Sequence, residues 1–491
     1  MDYLDPRKQS FNNVMLLIGY ALIGMAVLIA ALVLTYQAKG FGVDKKGNVI
    51  QSGLTFFSSA PNPASIYVNN KKSNYQTNSR VVLPAGLYDI KLTRDGYYDW
   101  NRKIDLGGGD VQHYDYPFLF PATLTTTNYQ NYNGNIGLMT QSPDKRWLIL
   151  QKPSAANDLS LSDLKNYKKA PQDITLPVNL LTKPKQSEAW GDSEWADDNQ
   201  HVLLTHIADG KAEFILVDRT APEKSLNLNA KFGVSPTKIT LVDRKFDNFY
   251  LFDATSGSLQ SINLNDQAPK SILSGVINYK SYGKDQILFV TADGAQSGKV
   301  VAKLLSRDKS YTIRAMAANS NYSLDLTKYS GVMYMVIGSS VDGKAYIYKD
   351  PLGQLGANPA LPPGISQLLK VDQLSAVGFS PNAQYIVAEN GQKFAVYDIE
   401  NKLNFNYLSP YPLDQPQTRA LWMDGNRLTY VSGGKVVVFD YDGINRHVLV
   451  ASDSKFATAF APDYKFLYTA NPPQATGQSV TQTWLLAPQD R

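Results

Sequence analysis

Residues 142–150 read SPDKRWLIL, a polar turn that leads directly into a run of β-formers. Turn residues followed by a short apolar run are typical of a strand entered from a tight loop. Similar stretches, here called anchors, recur at intervals of about 38–54 residues, a period typical of β-propellers. The anchors are residues 142–150, 196–204, 247–252, 283–290, 330–336, 380–387, 423–430 and 461–468.

A second pattern recurs in step with the anchors, an alternating strand that ends in a polar residue. It is clearest at 214–218, 345–349, 394–398 and 436–440. We expect each pair to form the second and third strands of a four-stranded blade. The eight anchors predict eight blades; seven is the alternative, because the third and fourth repeats are the weakest.

The two ends of the repeat region complement each other. The last repeat has strands at 465–470 and 481–486 but lacks an outermost strand, whereas ATLTTTNY at 122–129 has no partner in the first repeat. Pairing them would close the ring and leave no long strand edge unpaired. We therefore predict a propeller over residues 119–491. Its Ser-Pro-Asp and Ala-Pro-Asp turns resemble those of the Tol–Pal propeller and, more loosely, WD-type propellers.

A smaller β-rich segment precedes the propeller. It contains PNPASIYV at 61–68, LPAGLYDIKL at 83–92 and RDGY at 94–97. Residues 54–118 resemble the PEGA domain, although Asn62 and Pro63 replace the Glu and Gly of the name-giving motif and Asn69-Asn70 replaces the usual Asp-Gly turn. The strand pattern itself predicts a compact β-sandwich. The resemblance implies a spacer or interaction module without catalysis, of the kind found mostly in prokaryotic envelope and surface proteins.

Residues 14–36, VMLLIGYALIGMAVLIAALVLTY, contain no charge. A helix of that length spans about 35 Å, slightly more than the hydrocarbon core of a bilayer. The run predicts a transmembrane signal anchor with the lipid bilayer as its partner, between a short head at 1–13 and a glycine-rich linker at 37–53. A buried core helix and a cleaved signal peptide are the alternatives.

Two features bear on location. Arg7 and Lys8 precede the helix and three lysines follow it, which does not favour a cytoplasmic head, but long domains translocate largely regardless of charge. The chain has no cysteine, which excludes disulfides and thiolate chemistry. We expect a single-pass cell-membrane protein with the head in the cytoplasm and the bulk outside it.

Composition narrows the function further. A net charge of +5, from 48 basic and 43 acidic residues, argues against a nucleic-acid binder. The 30 tyrosines, 34 glycines and 26 prolines favour short strands joined by turns, so the soluble part is predicted to be all-β.

The sequence contains no recognised catalytic motif, and we expect no catalytic residue, cofactor or metal ion. His201 and His206 lie five apart on a probable strand and should face opposite ways. The loop Asp440–Asn445 is the best metal candidate, although a hairpin turn explains it more simply. Asp192, Glu194 and Asp197-Asp198 form an acidic cluster of turn residues or, alternatively, ligand contacts.

These observations predict a non-catalytic envelope scaffold whose propeller binds a protein or a glycan. A propeller enzyme acting on glycans and a purely structural protein are the alternatives. Converging carboxylates about 5–10 Å apart would favour the enzyme, and a broad aromatic surface would favour binding.

Overall fold

The computed structural model describes residues 6–43, 47, 49–358 and 361–486. The described residues divide into two compact units, the first up to Thr123 and the second from Leu124 onward. Apart from three helices and short 3₁₀ turns, the described secondary structure is all strand, so the all-β prediction is confirmed.

The apolar run lies within one long helix, α1 (Pro6–Ala38). Its stretch Asn13–Ala38 is long and apolar enough to cross a membrane, and none of the tested window is buried. Residues 6–13 of the predicted head are also helical and continue into the apolar run. Proline is tolerated at the first position of a helix, so Pro6 starts α1 rather than blocking it.

The rest of the first unit is a sandwich of two four-stranded sheets. Its strands are β1 (Phe41–Val43), β2 (Val49–Phe57), β3 (Ser65–Val68), β4 (Lys71–Gln76), β5 (Ser79–Pro84), β6 (Gly86–Thr93), β7 (Trp100–Leu106) and β8 (Val111–Tyr114). One sheet has β2 between β5 on one edge and β1 and β8 on the other, and the second sheet has the order β4-β3-β6-β7.

The predicted linker at 37–53 was wrong. Strand β1 pairs with β2 from Val49 onward, and the Ser52 amide donates to the Gly40 carbonyl at 2.7 Å. Gly53 looked like an interruption but sits inside β2, where a Cβ would lie only 2.6 Å from the Leu106 side chain. Glycine is therefore required there for a close approach.

Other strand boundaries in this unit also changed. Asn69 and Asn70 both have positive φ and form a two-residue turn, so the chain continues into β4, which the sequence did not predict. The sandwich core contains Phe57, Ile66, Trp100 and also Leu119. The predicted start of the propeller at residue 119 was therefore too early.

The described residues of the second unit form eight four-stranded antiparallel sheets, one for each anchor, here called blades 1 to 8. Strand β9 (Thr126–Tyr132) comes first. Blade 1 has β10 (Met139–Gln141), β11 (Trp147–Gln151), β12 (Asp158–Asp163) and β13 (Gln172–Thr175). Blade 2 has β14 (Glu188–Trp195), β15 (His201–Ala208), β16 (Lys211–Asp218) and β17 (Leu226–Asn227). Blade 3 has β18 (Lys238–Leu241), β19 (Asn248–Asp253), β20 (Ser258–Asn263) and β21 (Lys270–Leu273). Blade 4 has β22 (Val276–Tyr282), β23 (Gln286–Thr291), β24 (Lys299–Ser306) and β25 (Lys309–Ala317).

The remaining blades follow the same order. Blade 5 has β26 (Tyr322–Tyr329), β27 (Val332–Ser339), β28 (Lys344–Lys349) and β29 (Gln367–Lys370). Blade 6 has β30 (Ala376–Phe379), β31 (Tyr385–Glu389), β32 (Lys393–Asp398) and β33 (Leu403–Leu408). Blade 7 has β34 (Leu421–Trp422), β35 (Arg427–Ser432), β36 (Lys435–Asp440) and β37 (His447–Ala451). Blade 8 has β38 (Ala459–Phe460), β39 (Phe466–Ala470), β40 (Gln478–Trp484) and β9. Helix α2 (Leu228–Phe232) follows blade 2, and α3 (Pro351–Ala357) lies between β28 and β29.

The predicted strand phase is confirmed. Every anchor leads into the second strand of its blade, and the in-step strands at 214–218, 345–349, 394–398 and 436–440 fall in third strands. Strand β9 pairs antiparallel with β40, from Thr126 opposite Thr483 to Tyr132 opposite Gln478. The ends of the propeller therefore close the ring as predicted, with β9 a few residues later than 122–129.

The core lies between neighbouring blades. One cluster joins Ile149 and Leu159 of blade 1 to Val202 and Ile215 of blade 2, and similar clusters join other adjacent pairs. Each sheet thus buries both faces, which is why its central strands read as continuous apolar runs.

Candidate functional site

The side chains of the anchor turns stabilise the turn backbone. In blade 1 the Trp147 amide donates to the Ser142 hydroxyl at 2.9 Å, and the Arg146 amide donates to the Asp144 carboxylate at 3.0 Å. In blade 6 the Tyr385 amide donates to the Ser380 hydroxyl in the same way. The Ser-Pro-Asp/Asn motif therefore satisfies backbone donors of the turn and is not available as a ligand site.

The polar residues that end the third strands have an equally structural task. The Asp398 carboxylate accepts the Glu400 and Asn401 amides and the Gln384 side chain. Asp218 does the same for the Thr220 amide and the Gln200 side chain. Each aspartate joins the turn after its own strand to a glutamine of the anchor turn in the same blade.

The innermost strands form a ring, here called the inner ring, in which polar side chains connect one blade to the next. The Glu194 carboxylate of blade 2 accepts the Leu241 amide of blade 3 at 2.9 Å. Asp325 of blade 5 accepts the Phe379 amide of blade 6 at 3.1 Å. The side chain of Gln141 in blade 1 donates to the Phe460 carbonyl of blade 8 at 2.7 Å.

Two acids of the inner ring, Glu194 and Asp325, are influenced by the positive charge of Lys280. Lys280 Nζ lies 3.8 Å from Asp325 Oδ1. Burial raises the pKa of Glu194, while the Leu241 amide and the charge of Lys280 act in the opposite direction. Because both carboxylates also hold a backbone amide of the next blade, their first role is to join blades.

The predicted acidic cluster does not converge on one point. Asp197 forms an ion pair with Arg244 at 2.8 Å, and Asp198 lies 2.6 Å from His201 Nδ1. Asp192 is exposed, whereas Glu194 faces the inner ring. The structure therefore favours the interpretation of these acids as turn and packing residues.

The histidines are separated as expected. His201 contacts Asp198 near the anchor turn, while His206 is fully buried between Glu213 at 2.7 Å and Glu188 at 2.9 Å. Burial raises the pKa of Glu213, but hydrogen bonds from Thr182, His206 and Asn227 outweigh it and leave the pKa below its ordinary value.

The metal candidate at 440–445 is a hairpin turn. The Asp440 amide donates to the Ile444 carbonyl at 3.0 Å, and the Asn445 side chain donates to the Asp440 carboxylate at 2.8 Å. Among the described residues, no group of three or more histidine, aspartate or glutamate side chains is arranged to hold a metal ion.

The anchor turns of blades 1 to 3 form a surface of stacked and paired side chains. We call residues 142–147, 196–201, 219 and 242–247 the loop face. The guanidinium carbons of Arg219 and Arg146 lie 3.8 and 4.6 Å from the centre of the Trp147 ring. The His201 ring stacks on Phe246 with centres 3.9 Å apart and planes 9° from parallel.

Hydrogen bonds within and between blades hold these side chains in place. Arg219 Nε donates to the Asn199 carbonyl at 2.7 Å, and the Asp144 amide donates to the Asn199 side chain at 3.1 Å. Arg146 makes a bidentate pair with Asp163, which lowers the pKa of that carboxyl. Aromatic and arginine side chains fixed before binding are the groups that dominate protein interfaces.

A cleft of about 490 Å³ continues from the loop face along blade 3. Its charges are balanced between three aspartates and three lysines, and the Lys270–Asp266 and Lys245–Asp243 pairs measure 3.5 and 3.8 Å. It is lined by Val242, Asp243, Lys245, Asp247, Asn248, Phe249, Tyr250, Ser261, Ile262, Asn263, Asp266, Lys270, Ile272 and Lys284. The cleft therefore places both signs of charge beside apolar side chains such as Val242 and Ile272.

Sequence reasoning did not single out Trp147, Arg219 or Phe246. Trp147 lies within the first anchor, directly after the turn. The large aromatic ring at that position was the only sequence feature that could have indicated a binding surface there. Phe246 and Arg219 belong to other repeats, and no local pattern connects them to Trp147.

Comparison with known proteins finds a family match in the first unit. Residues 53–119 match the family model of the PEGA domain. No curated protein matches the chain at the sequence level. Among solved structures, the chain is similar to the C-terminal WD40 domain of Sif2, with 10% identity, a TM-score of 0.48, and coverage of 73% of this chain and 97% of that chain.

Two further structures are similar over the same extent. The Dos1 propeller has 13% identity and a TM-score of 0.45, covering 74% of this chain and 95% of its own. An oligogalacturonate lyase from Vibrio parahaemolyticus has 10% identity and a TM-score of 0.39, covering 75% and 98%. Likenesses at this level carry no argument about ligand or reaction, and the propeller assignment rests on the strand pairing described above. This chain therefore combines an N-terminal apolar helix, a segment matching the PEGA domain and a β-propeller.

Proposed function

We propose that this protein is a membrane-anchored scaffold of the cell envelope whose propeller binds a protein partner through the loop face. Three features fit that role together. The helix is too apolar to be stable in water, the PEGA-like sandwich has no chemistry of its own, and the propeller has a preorganised surface. The loop face is the observation that carries the proposal.

The proposal that α1 holds the protein in the membrane is supported by the exposure of its side chains. Leu17 and Leu28 are 71% and 64% exposed, and the side chains around them are exposed as well. A continuous apolar surface of this size is unfavourable in water and needs a bilayer or another cover. The 26 residues of Asn13–Ala38 span about 39 Å as a helix, enough for the bilayer core and part of one interface.

Binding through the loop face is supported by its composition and rigidity. Trp147 with its two arginines, and Phe246 on His201, present large side chains that lose little rotamer freedom on binding. The adjoining cleft offers both signs of charge, so a partner segment with alternating acidic and basic residues would find complementary groups.

We propose binding rather than catalysis because the acids nearest the inner ring already have partners. Glu194 and Asp325 each accept a backbone amide of the next blade, and replacing either would break the contact between blades. A hydrolase of glycans would need a carboxylate pair free to exchange protons with a substrate.

Photo-crosslinking in living cells tests the partner surface. A photoreactive residue replacing Phe246 in the full chain should give a protein adduct of defined mass. The same residue replacing Leu408, which is 60% exposed on β33 of blade 6, should not. Arg219→Ala should reduce the adduct because it removes the guanidinium over Trp147, whereas Lys309→Ala on β25 should leave it unchanged.

No adduct at position 246, or an equal adduct at position 408, would show that the loop face is not the binding surface.

The cellular location of the propeller is tested separately. Protease added to intact cells, or to spheroplasts if an outer layer shields the protein, should digest the chain beyond residue 40. Digestion only after lysis would place the propeller in the cytoplasm and contradict the envelope role.

A further inference from the structure

Exposed apolar side chains of the sandwich gather at one end of it. Outside α1, the described large apolar side chains that are most exposed in the first unit are Val49, Val82, Leu87 and Val111, at 58–76%. An exposed apolar cluster in a folded domain normally marks a contact surface.

These four residues lie beside the end of the apolar helix. Gln51 Nε2 donates to the Lys39 carbonyl at 2.9 Å, and the Gly109 amide donates to the Ser52 carbonyl at 2.9 Å. Val49 lies two residues before Gln51, and Val111 lies two residues after Gly109. On β2, Val49 lies three residues before Ser52, and Val111 lies opposite Leu54, two residues after Ser52, so the two side chains flank the level at which α1 ends.

The other two residues flank a turn at the same level. The Ala85 amide donates to the Gln51 carbonyl at 2.7 Å, which places the 84–86 turn next to the residue that holds Lys39. Val82 lies three residues before Ala85 on one sheet, and Leu87 lies two residues after it on the other. Apolar groups thus protrude from both sheets around the helix end.

The connection between helix and sandwich is too short to separate them. Only Lys39 and Gly40 stand between α1 and β1, and the Ser52 amide donates to the Gly40 carbonyl. The Tyr36 ring packs edge-on against Phe41 with ring centres 5.3 Å apart. Aromatic side chains at a helix end are typical of the membrane–water interface.

We propose that this end of the sandwich lies on the bilayer surface, with Val49, Val82, Leu87 and Val111 inserted among the lipid headgroups. The inference rests on the proposed function, since it requires α1 to span the bilayer. The sandwich then acts as a foot that orients the first unit on the membrane, and α1 is not a flexible tether.

Spin labels on single cysteines test this directly, because the chain has no native cysteine. The full chain is placed one molecule per lipid nanodisc and labelled at Val82→Cys, Leu87→Cys, Tyr75→Cys or Leu28→Cys. Tyr75 is the matched control: it is 53% exposed but lies with Phe56 and Ser58, about 7–13 Å farther along β2 than Leu54, the residue opposite Val82.

Collisions with oxygen, which concentrates in lipid, are compared with collisions with a water-soluble nickel chelate. Positions 28, 82 and 87 should favour oxygen several-fold relative to position 75. If labels at positions 82 and 87 behave like the label at position 75 while the label at position 28 favours oxygen, the helix spans the membrane. The proposed contact of the sandwich with the bilayer is then refuted.

Two other outcomes also decide the question. If position 28 favours nickel, α1 does not span the membrane, and both this inference and the anchoring role fail. If labels at 82 and 87 show spin–spin broadening in discs loaded with two molecules and no preference for oxygen, the cluster binds a second copy of the chain and not lipid.

Discussion

Removal of β9 should open the propeller, although β9 is only seven residues long. It is the outermost strand of blade 8 and lies more than 300 residues from its partner β40 in the chain. Without it, β40 would expose an unpaired edge, and the ring would lose the contact that joins its two ends.

The size of the effect follows from the pairing. Six positions of β9 pair with β40. If each pair contributes about one backbone hydrogen bond, at about 0.5–1.5 kcal/mol net, the ladder is worth about 3–9 kcal/mol. Tyr129 adds an edge-on contact with Tyr468 at 5.1 Å, and both pack in the core that blade 8 shares with blade 1. The total is comparable to the whole stability of a typical domain.

The test compares two fragments, residues 124–486 and 133–486, by thermal unfolding and by binding of an apolar dye. The shorter fragment should melt well below the longer one or aggregate. A synthetic peptide of residues 124–133 should restore its stability, while a peptide of the same composition in scrambled order should not. Equal melting of the two fragments would refute the argument that β9 holds the ring closed.

Two further predictions concern single residues. Gly86 has φ +157, which side-chain-bearing residues rarely adopt, so Gly86→Val should destabilise the sandwich by roughly 1–3 kcal/mol in denaturant unfolding of residues 40–122. Gly42→Val, at a glycine without positive φ and with open space around it, should cost much less, and equal costs would contradict the assignment. Burial raises the pKa of Glu389 to about 8, against the Ala420 amide and Arg419. Because the raised pKa favours the neutral acid in the fold, its contribution is complete below pH 4.5 and is lost as the pH rises to 8, at about 1.4 kcal/mol per pH unit. Glu389→Gln should remove that slope in denaturant unfolding at pH 5 and 8, and parallel profiles for the two proteins would show that Glu389 does not titrate in this window.

Much of the fold could be predicted because its signals are local. Each anchor is a turn followed by the strand it starts, within about ten residues, and the same unit recurs through the chain. The orphan strand at 122–129 could be matched to the incomplete last repeat by counting strands alone. The apolar helix could also be predicted from local sequence, since a bilayer-spanning helix needs only length and the absence of charge.

The errors arose where a local signal depended on a distant neighbour. Gly53 indicated an interruption, yet it is a strand residue that lets Leu106 come close. The turn at Asn69-Asn70 was recognised, but the strand after it, KKSNYQ, is polar and becomes β4 only by pairing with β3.

The sequence by itself determined the strand period, the helix and the closure of the ring, because each depends on residue order within a repeat or on strand count. The tertiary structure alone decided the candidate binding surface and the apolar foot. Trp147, Arg219 and Phe246 come from different repeats, and Val49, Val82, Leu87 and Val111 come from four strands. Such groups meet only when sheets pack, and packing depends on shape and burial between residues far apart in the chain, which periodicity does not encode.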